Sequence, residues 1–411
     1  MASGRFPASD GRMVALTKIE SLGQRGEGVA DVEGRRVFVP FTLPGDIAEV
    51  EAEGDRGTMV SLVEPGPDRI EPFCPYFTKC GGCLLQHVGP TTYAEFKRGL
   101  VEQALRHGGI DAPVLPVLDA RGNGRRRATL HATTSGAGYM RARSHELLSI
   151  ATCPILVPAL REAAPMIARA AGALIGDCDV LCTATATGID VAVKSDKRGL
   201  KPEKLIPLAQ RFNLARLSYN GETIVQARPP TVTMGRSTVE LPATSFLQAT
   251  AAAEETLARL VVEGIGKAKS VADLFSGAGP FALRVAEQAS VAAFDSDKPA
   301  ITALQKAVRF TRGLKPVTAA TRDLFRDPLA PIELEPFDAI VFDPPRAGAE
   351  AQSREIARSK VKTVVAVSCD PRSFTRDATI LMSGGYKLDA VTPVDQFAWS
   401  PHVELVGVFR K

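Results

Sequence analysis

The chain reads as an α/β protein: a doubly wound, mostly parallel sheet at the C-terminal end, preceded by a small β-barrel and an α+β central region. Three observations predict this. From about residue 241 onward, apolar strand-like runs alternate with amphipathic helical stretches. A glycine-rich turn, Asp273-Leu274-Phe275-Ser276-Gly277-Ala278-Gly279, follows one such run and opens a helix. The first 65 or so residues hold five short runs separated by Gly, Pro and Asp.

Length and composition set the bounds. A chain of 411 residues should hold two or three domains of about 100–200 residues each. Hydrophobic content of 45% and charged content of 23% are ordinary for a globular protein. Fifty basic against 46 acidic residues give a net charge of +4, too mild to require a nucleic-acid partner. One segment is locally basic: Arg121, Arg125, Arg126, Arg127, Arg141 and Arg143 face the single acid Glu146. Such a stretch suits a phosphate backbone and equally suits a solvated face. The opening seven residues contain no apolar run, and no span reaches about 18 clean apolar residues. The expectation is a cytoplasmic enzyme with no membrane association, in which seven cysteines mean metal, cluster or catalysis before disulfides.

In chain order, the barrel domain is assigned to 8–67, with strands near 13–19, 28–32, 36–41, 47–52 and 58–63. Five strands in so short a length fit a barrel of the oligonucleotide-binding kind. The central domain, 68–240, opens on Cys74, Cys80 and Cys83. A helix over 91–108 follows, with Tyr93, Phe96, Leu100, Val101, Ala104 and Leu105 at the 3.6 period; it is expected to pack on the catalytic domain. Strands at 181–186 and 189–194 and an amphipathic segment at 158–175 complete that part. In the third domain, 241–411, helices are expected over 250–263, from about 281, and over 298–312. Strands are expected at 270–275, 291–295, 339–343, 363–368 and 403–409.

The chemistry gathers at the ends of those strands. Gly277 and Gly279 permit a tight turn and close ligand approach, and Asp295, 22 residues after Asp273, suits ribose hydroxyls. Gly277, Gly279 and Ala282 also match the dinucleotide fingerprint, so spacing alone admits NAD. The acidic lead-in, Asp273, favours a sulfonium ligand such as S-adenosylmethionine, because it would repel a pyrophosphate. Asp343-Pro344-Pro345-Arg346 places a carboxylate at a strand end and stiffens it with two prolines. Cys369, in Ser368-Cys369-Asp370-Pro371, is a thiol delivered by an apolar run to a turn. Glu404 lies 35 residues on. A thiolate adding to carbon 6 of a uracil turns carbon 5 into a nucleophile, and a base must later remove the carbon-5 proton. Cys369 suits the first role and Glu404 the second, with His402 a structural histidine beside it.

Taken together, these residues resemble the bacterial class I S-adenosylmethionine-dependent RNA uracil-5-methyltransferases. The likeness is to the 23S ribosomal RNA branch with an N-terminal TRAM domain, and it covers nearly the whole chain. It implies a Rossmann-like methyltransferase domain, with Gln248, Asp273, Phe275, Gly277, Gly279, Asp295, Asp323 and Asp343 at the methyl donor. It also implies Asp343 between donor and uracil, attack by Cys369 and deprotonation by Glu404. The chain departs from the family at four points: Asp370 and Thr250 stand where Asn is usual, Pro280 where Asn is often found, and Asp295 where Glu is commoner.

Cys74, Cys80, Cys83 and the distant Cys153 have a spacing that suits either a 4Fe–4S cluster or zinc. The resemblance implies the cluster. It also implies an RNA partner, ribosomal in preference to transfer RNA, and a monomer with no obligate protein partner. A transfer-RNA uracil-5-methyltransferase and an RNA cytosine-5-methyltransferase are the nearest rivals. The cytosine enzymes generally carry a second Cys near the Asp-Pro element, and Pro344-Pro345-Arg346 lacks one. An NAD-dependent oxidoreductase would leave Cys369 and Glu404 unexplained. A non-catalytic RNA-binding protein would have no use for Cys369, Asp343 and Glu404 together.

Overall fold

A computed structural model describes residues 5–7, 13–197 and 201–411. The expected start of the barrel domain at residue 8 lies outside the described residues. The chain divides into two compact units, Met1–Leu100 with Tyr139–Leu148 and Phe397–His402, and Val101–Gly138 with Ser149–Gln396 and Val403–Lys411. No helix among the described residues is long and apolar enough to cross a membrane.

The smaller unit contains the barrel. Its strands are β1 (Met13–Leu22), β2 (Gly28–Val32), β3 (Arg35–Val39), β4 (Ile47–Glu53) and β5 (Arg56–Glu64). The long β1 pairs with β2 at one end and β4 along the rest, which closes the ring β1-β2-β3-β5-β4. Alternate residues point inward, so Ile19, Ala30, Val37, Val39, Ala48 and Val50 form its core. Within the same unit, α1 (Pro90–His107) buries Lys97, whose ammonium donates to the carbonyls of Phe397 and His402. Three backbone or side-chain groups thereby fix the 397–402 loop, since the Trp399 N–H also donates to the Tyr93 hydroxyl at 3.0 Å.

The larger unit contains two sheets. In the first, β6 (Arg127–Thr133), β7 (Cys178–Thr185), β8 (Gly188–Lys194), β9 (Arg216–Tyr219) and β10 (Glu222–Gln226) lie side by side in that order. The apolar helix α2 (Ala163–Ile175) buries Ile167, Ala168 and Ala171. A two-stranded ribbon, β11 (Thr231–Met234) and β12 (Ser237–Glu240), leads toward the second sheet.

The second sheet is the predicted doubly wound one. Its strands are β13 (Ser270–Leu274), β14 (Ser290–Asp295), β15 (Val317–Thr321), β16 (Ala339–Phe342), β17 (Thr363–Ser368), β18 (Lys387–Asp395) and β19 (Glu404–Arg410). They stand in the order β15-β14-β13-β16-β17-β19-β18, parallel from β15 to β17, with β19 antiparallel to both neighbours. Every residue of β16 and β17 is buried, as expected for strands covered on both faces. Helices α3 (Ala251–Ile265), α4 (Lys298–Phe310), α5 (Glu350–Arg358) and α6 (Pro371–Ser383) supply the connections.

The departures from the family pattern have local roles. Thr250 caps α3, its hydroxyl accepting from the Ala253 N–H and donating to Ala120 O. Asp370 caps α6, accepting from the Arg372 and Ser373 N–H groups, with Pro371 at the first helical position. The helix expected from residue 281 is only the four-residue Ala282–Val285. Ser290 already begins β14, so the chain has no length for more.

Candidate active site

Sheet polarity assembles the site. The parallel strands β13, β16 and β17 all finish at one edge, bringing Asp273, Asp343 and Cys369 there. Because β19 runs the other way, its first residue, Glu404, lies at the same edge. Register makes this concrete: Ser368 faces Leu405 and Val394 faces Glu404. Cys369 and Glu404 are therefore one step beyond a paired position, and Gln396 lies just past the end of β18.

The donor loop follows β13. Phe275 adopts φ 61°, unusual for an aromatic residue, and Gly277 and Gly279 have φ 51° and 93°. A Cβ on Gly279 would come within 2.5 Å of the Leu304 side chain, so that glycine serves both its backbone angle and the packing of α4. Asp295 braces the loop: its carboxylate accepts from the Gly277 N–H and the Asp297 N–H, each at 2.8 Å. Phe275 stacks obliquely on Phe325, with ring centres 5.3 Å apart. Phe325 follows Asp323, whose carboxylate accepts the Phe325 N–H. A cleft opens here, lined by Gln248, Phe275, Gly277, Pro280 and Asp343 among others.

Asp273 is a buried acid near the end of β13, with the Ala282 N–H nearby to offset its burial. Both carboxyl oxygens of Asp273 and the Ser276 hydroxyl are buried without a hydrogen-bond partner among the described residues. Burial, reinforced by Asp343 and Asp295, holds the Asp273 carboxyl well above the usual carboxylate range. Orphaned buried acceptors beside a glycine loop fit a ligand that carries positive charge and hydroxyl groups, as S-adenosylmethionine does.

The candidate groups Glu404, Asp343 and Cys369 sit in a low-dielectric setting. Glu404 is 2% exposed, and burial followed by the Asp343 charge pushes its pKa up to about 8. Burial likewise pushes Asp343 up to about 7, against a hydrogen bond from Gln248. The Cys369 thiol is pushed up to about 12, by burial first and then by Glu404 and Asp343. Thiol and carboxylates thus feel one another, the condition for passing a proton between them. Two amides join the acids: Gln396 Nε2 donates to Glu404 at 2.5 Å and to Gln248 Oε1 at 2.7 Å, and Gln248 Nε2 donates to Asp343 at 2.9 Å. Sequence reasoning named Gln248 and missed Gln396, whose partners are brought to it only by the pairing of β18 and β19.

The basic stretch is mostly engaged by protein. Arg126 is buried; its guanidinium meets Glu254 at 2.5 Å and donates to Gln248 O at 3.0 Å. Arg127 donates to Thr244 O and Ser245 O. Arg121 pairs with Asp119, Arg141 with Glu146 and Arg143 with Glu27. Arg126 and Arg127, at the start of β6, therefore hold the segment 244–248 that carries Gln248.

Cys74, Cys80 and Cys83 lie in the smaller unit and Cys153 in the larger. Cys74 and Cys80 carry free thiols, the Gly82 N–H donates to the Cys80 sulfur at 3.4 Å, and burial, with Cys74's charge adding to it, raises the Cys80 pKa. Two sulfur donors on one loop suit a soft cation in donor chemistry. Among the described residues no group of three or more His, Cys, Asp or Glu side chains is gathered to hold a metal ion.

Comparison with known proteins agrees with this geometry. Residues 16–59 match the family model described as tRNA (uracil(54)-C(5))-methyltransferase, TRAM domain. Residues 215–411 match that of tRNA (Uracil-5-)-methyltransferase. The chain is 45% identical over 407 residues to an RNA methyltransferase of Brucella suis biovar 1, described as uncharacterized, covering 96% of this chain and 97% of that one. It is 31% identical to the 23S rRNA (uracil(1939)-C(5))-methyltransferase RlmD of Chromohalobacter salexigens, covering 94% and 87%. The fold is similar to the crystal structure of Pyrococcus abyssi tRNA (uracil-54, C5)-methyltransferase in complex with S-adenosyl-L-homocysteine, with a TM-score of 0.75 at 23% identity over 95% and 99% of the two chains.

Proposed function

Since the chain belongs to the S-adenosylmethionine-dependent RNA uracil-5-methyltransferase family, we propose that it forms 5-methyluridine in 23S rRNA through a covalent Cys369 adduct. One observation supports the reading: β17 and β19 pair in a register, Ser368 opposite Leu405, that brings Cys369 and Glu404 to the same sheet edge.

Cys369 would release its S–H proton to solvent and bond through its sulfur to carbon 6 of a flipped uracil, and the electron pair of the carbon 5–carbon 6 double bond would move toward the carbonyl at carbon 4. Bound S-adenosylmethionine supplies an electrophilic methyl group to carbon 5. The Glu404 carboxylate would then take the carbon-5 proton, the carbon 5–carbon 6 double bond would re-form, and the thiolate would leave. Asp343 would orient the ring between donor and thiol. Gln248, Asp273, Phe275, Gly277, Gly279, Asp295 and Asp323 would hold the donor. The division into 8–67, 68–240 and 241–411 assigns RNA gripping to the first part and chemistry to the third.

The ribosomal preference is supported by the 31% identity to the Chromohalobacter enzyme along nearly the full chain. Cytoplasmic location follows from such a substrate. The test is methyl transfer from labelled donor to unmodified 23S rRNA and to tRNA, with nucleoside analysis. Label appearing as 5-methyluridine in 23S rRNA supports the proposal, and label in tRNA alone transfers it to the tRNA reading. Absence from both rejects it. Retention of full activity by Cys369→Ala would reject the covalent route.

We further assign Cys74, Cys80, Cys83 and Cys153 to a 4Fe–4S cluster that braces the RNA-facing part, since the reaction itself moves no electron. Anaerobically purified protein should contain iron and absorb in the visible range. Stoichiometric zinc without iron would overturn the assignment.

A further inference from the structure

Gln396 takes no part in the steps above. It is 1% exposed, and its side chain makes three hydrogen bonds. Oε1 accepts from the Ala249 N–H at 2.8 Å, while Nε2 donates to Glu404 and to Gln248. Gln248 in turn donates to Asp343. The direction of this chain is decided by one backbone group. An N–H can only donate, so the Gln396 oxygen must face Ala249 and its amino group must face Glu404 and Gln248. That forces the second flip: the Gln248 oxygen turns toward Gln396 and its amino group toward Asp343. Both acids of the cleft thus receive an amide N–H from two glutamines locked to each other. Without the lock, Gln248 could present its carbonyl to Asp343, and Glu404 would lose a donor inside a buried pocket.

We propose that Gln396 is the positioning residue of this site, fixing the flip of Gln248 and aiming the Glu404 carboxylate at the base's task. This rests on the reading of Glu404 as the base. The groups facing Glu404 are Asp343, at the end of β16, Cys369, at the end of β17, and Gln396 itself. Of these only Gln396 favours the ionised carboxylate, so its loss must move the ionisation that turnover depends on.

The test compares wild-type enzyme with Gln396→Met, which keeps the length and removes every polar contact, and Gln396→Glu, which keeps the acceptor for Ala249 and withdraws the amino group. Methyl transfer to RNA is measured from pH 6 to 9.5 (roughly the window set by burial), together with thermal unfolding and S-adenosylhomocysteine binding. Both variants should bind the homocysteine product at most about tenfold more weakly, as expected when the donor contact Gln248 loses its lock, while kcat falls at least about tenfold. The rising limb of the pH profile should move up by about one unit. Wild type failing to make 5-methyluridine would reject the parent reading. An active wild type beside variants with unchanged kcat and pH limb would reject this inference alone. Loss of fold in both variants would also reject it, because Gln396 would then be a structural brace.

Discussion

Glu404→Gln is the substitution that most directly separates the two halves of the chemistry. The amide replaces the carboxylate with nearly the same shape and can still accept the hydrogen bond from Gln396. With the Glu404 pKa near 8, about one tenth of the wild-type enzyme carries the ionised base at pH 7, so turnover should rise about tenfold by pH 9. The variant should lose roughly a hundredfold to ten-thousandfold in turnover, the usual contribution of a general base, and should lose that rising limb. Attack should survive. Glu404 is the largest charge raising the Cys369 thiol, so its removal should bring the thiol down and speed iodoacetamide labelling by about tenfold per unit. An RNA–protein adduct resistant to denaturing gels should therefore accumulate. Stability gives an independent check. Asp343 and Glu404 are raised above their unfolded values, so their stabilising contribution is complete below about pH 4 and is lost as pH rises through 7 to 8. The thermal midpoint should fall between pH 6 and 9, and fall less in the variant. Full turnover by Glu404→Gln, with an unchanged pH limb and no adduct, would refute the reasoning.

Three further outcomes are expected. Asp273→Asn removes a buried carboxyl whose raised pKa costs stability as pH rises; by calorimetry it should bind S-adenosylhomocysteine about tenfold more weakly, yet melt higher than wild type at pH 8. Gly279→Ala must hold φ 93° and displace Leu304, so denaturant unfolding should register a loss of about 2–3 kcal/mol. Arg126→Met leaves Glu254 with Arg284 alone, at 3.2 Å, and frees the Gln248 carbonyl. The expected cost is about 3 kcal/mol of stability, with reduced turnover in the surviving folded protein.

The positions of the candidate site residues were legible in the sequence because they sit at the ends of apolar runs, where a strand must hand over to a turn. The run 363–368 matched β17 at both ends, and the glycine loop, Asp343 and Glu404 all fell at strand termini. Strands with one wet face were harder. β15 is largely exposed or half-exposed along its length, and β18 alternates without a continuous apolar run; neither was anticipated. The helices α5 and α6 were also missed: α5 is strongly polar and α6 begins at the proline read as a turn. Arg126 was misjudged for another reason. Nothing local distinguishes an arginine that meets a phosphate from one buried against Glu254, 128 residues away. Gln396 is the same case, since its partners are fixed by sheet register alone.

The hairpin of β18 and β19 has a consequence for how the enzyme fails. Asp273, Asp343 and Cys369 belong to three strands adjacent in the sheet and formed from residues 270–368, whereas Glu404 and Gln396 belong to the hairpin alone. Under the proposed mechanism, local opening would therefore detach Glu404 while Cys369 and the cleft beside Asp343 persist. A molecule caught in that state would stay tethered to its RNA, and closure of one hairpin would release it. Amide exchange along 387–410 then becomes the clock for how long such tethered molecules last.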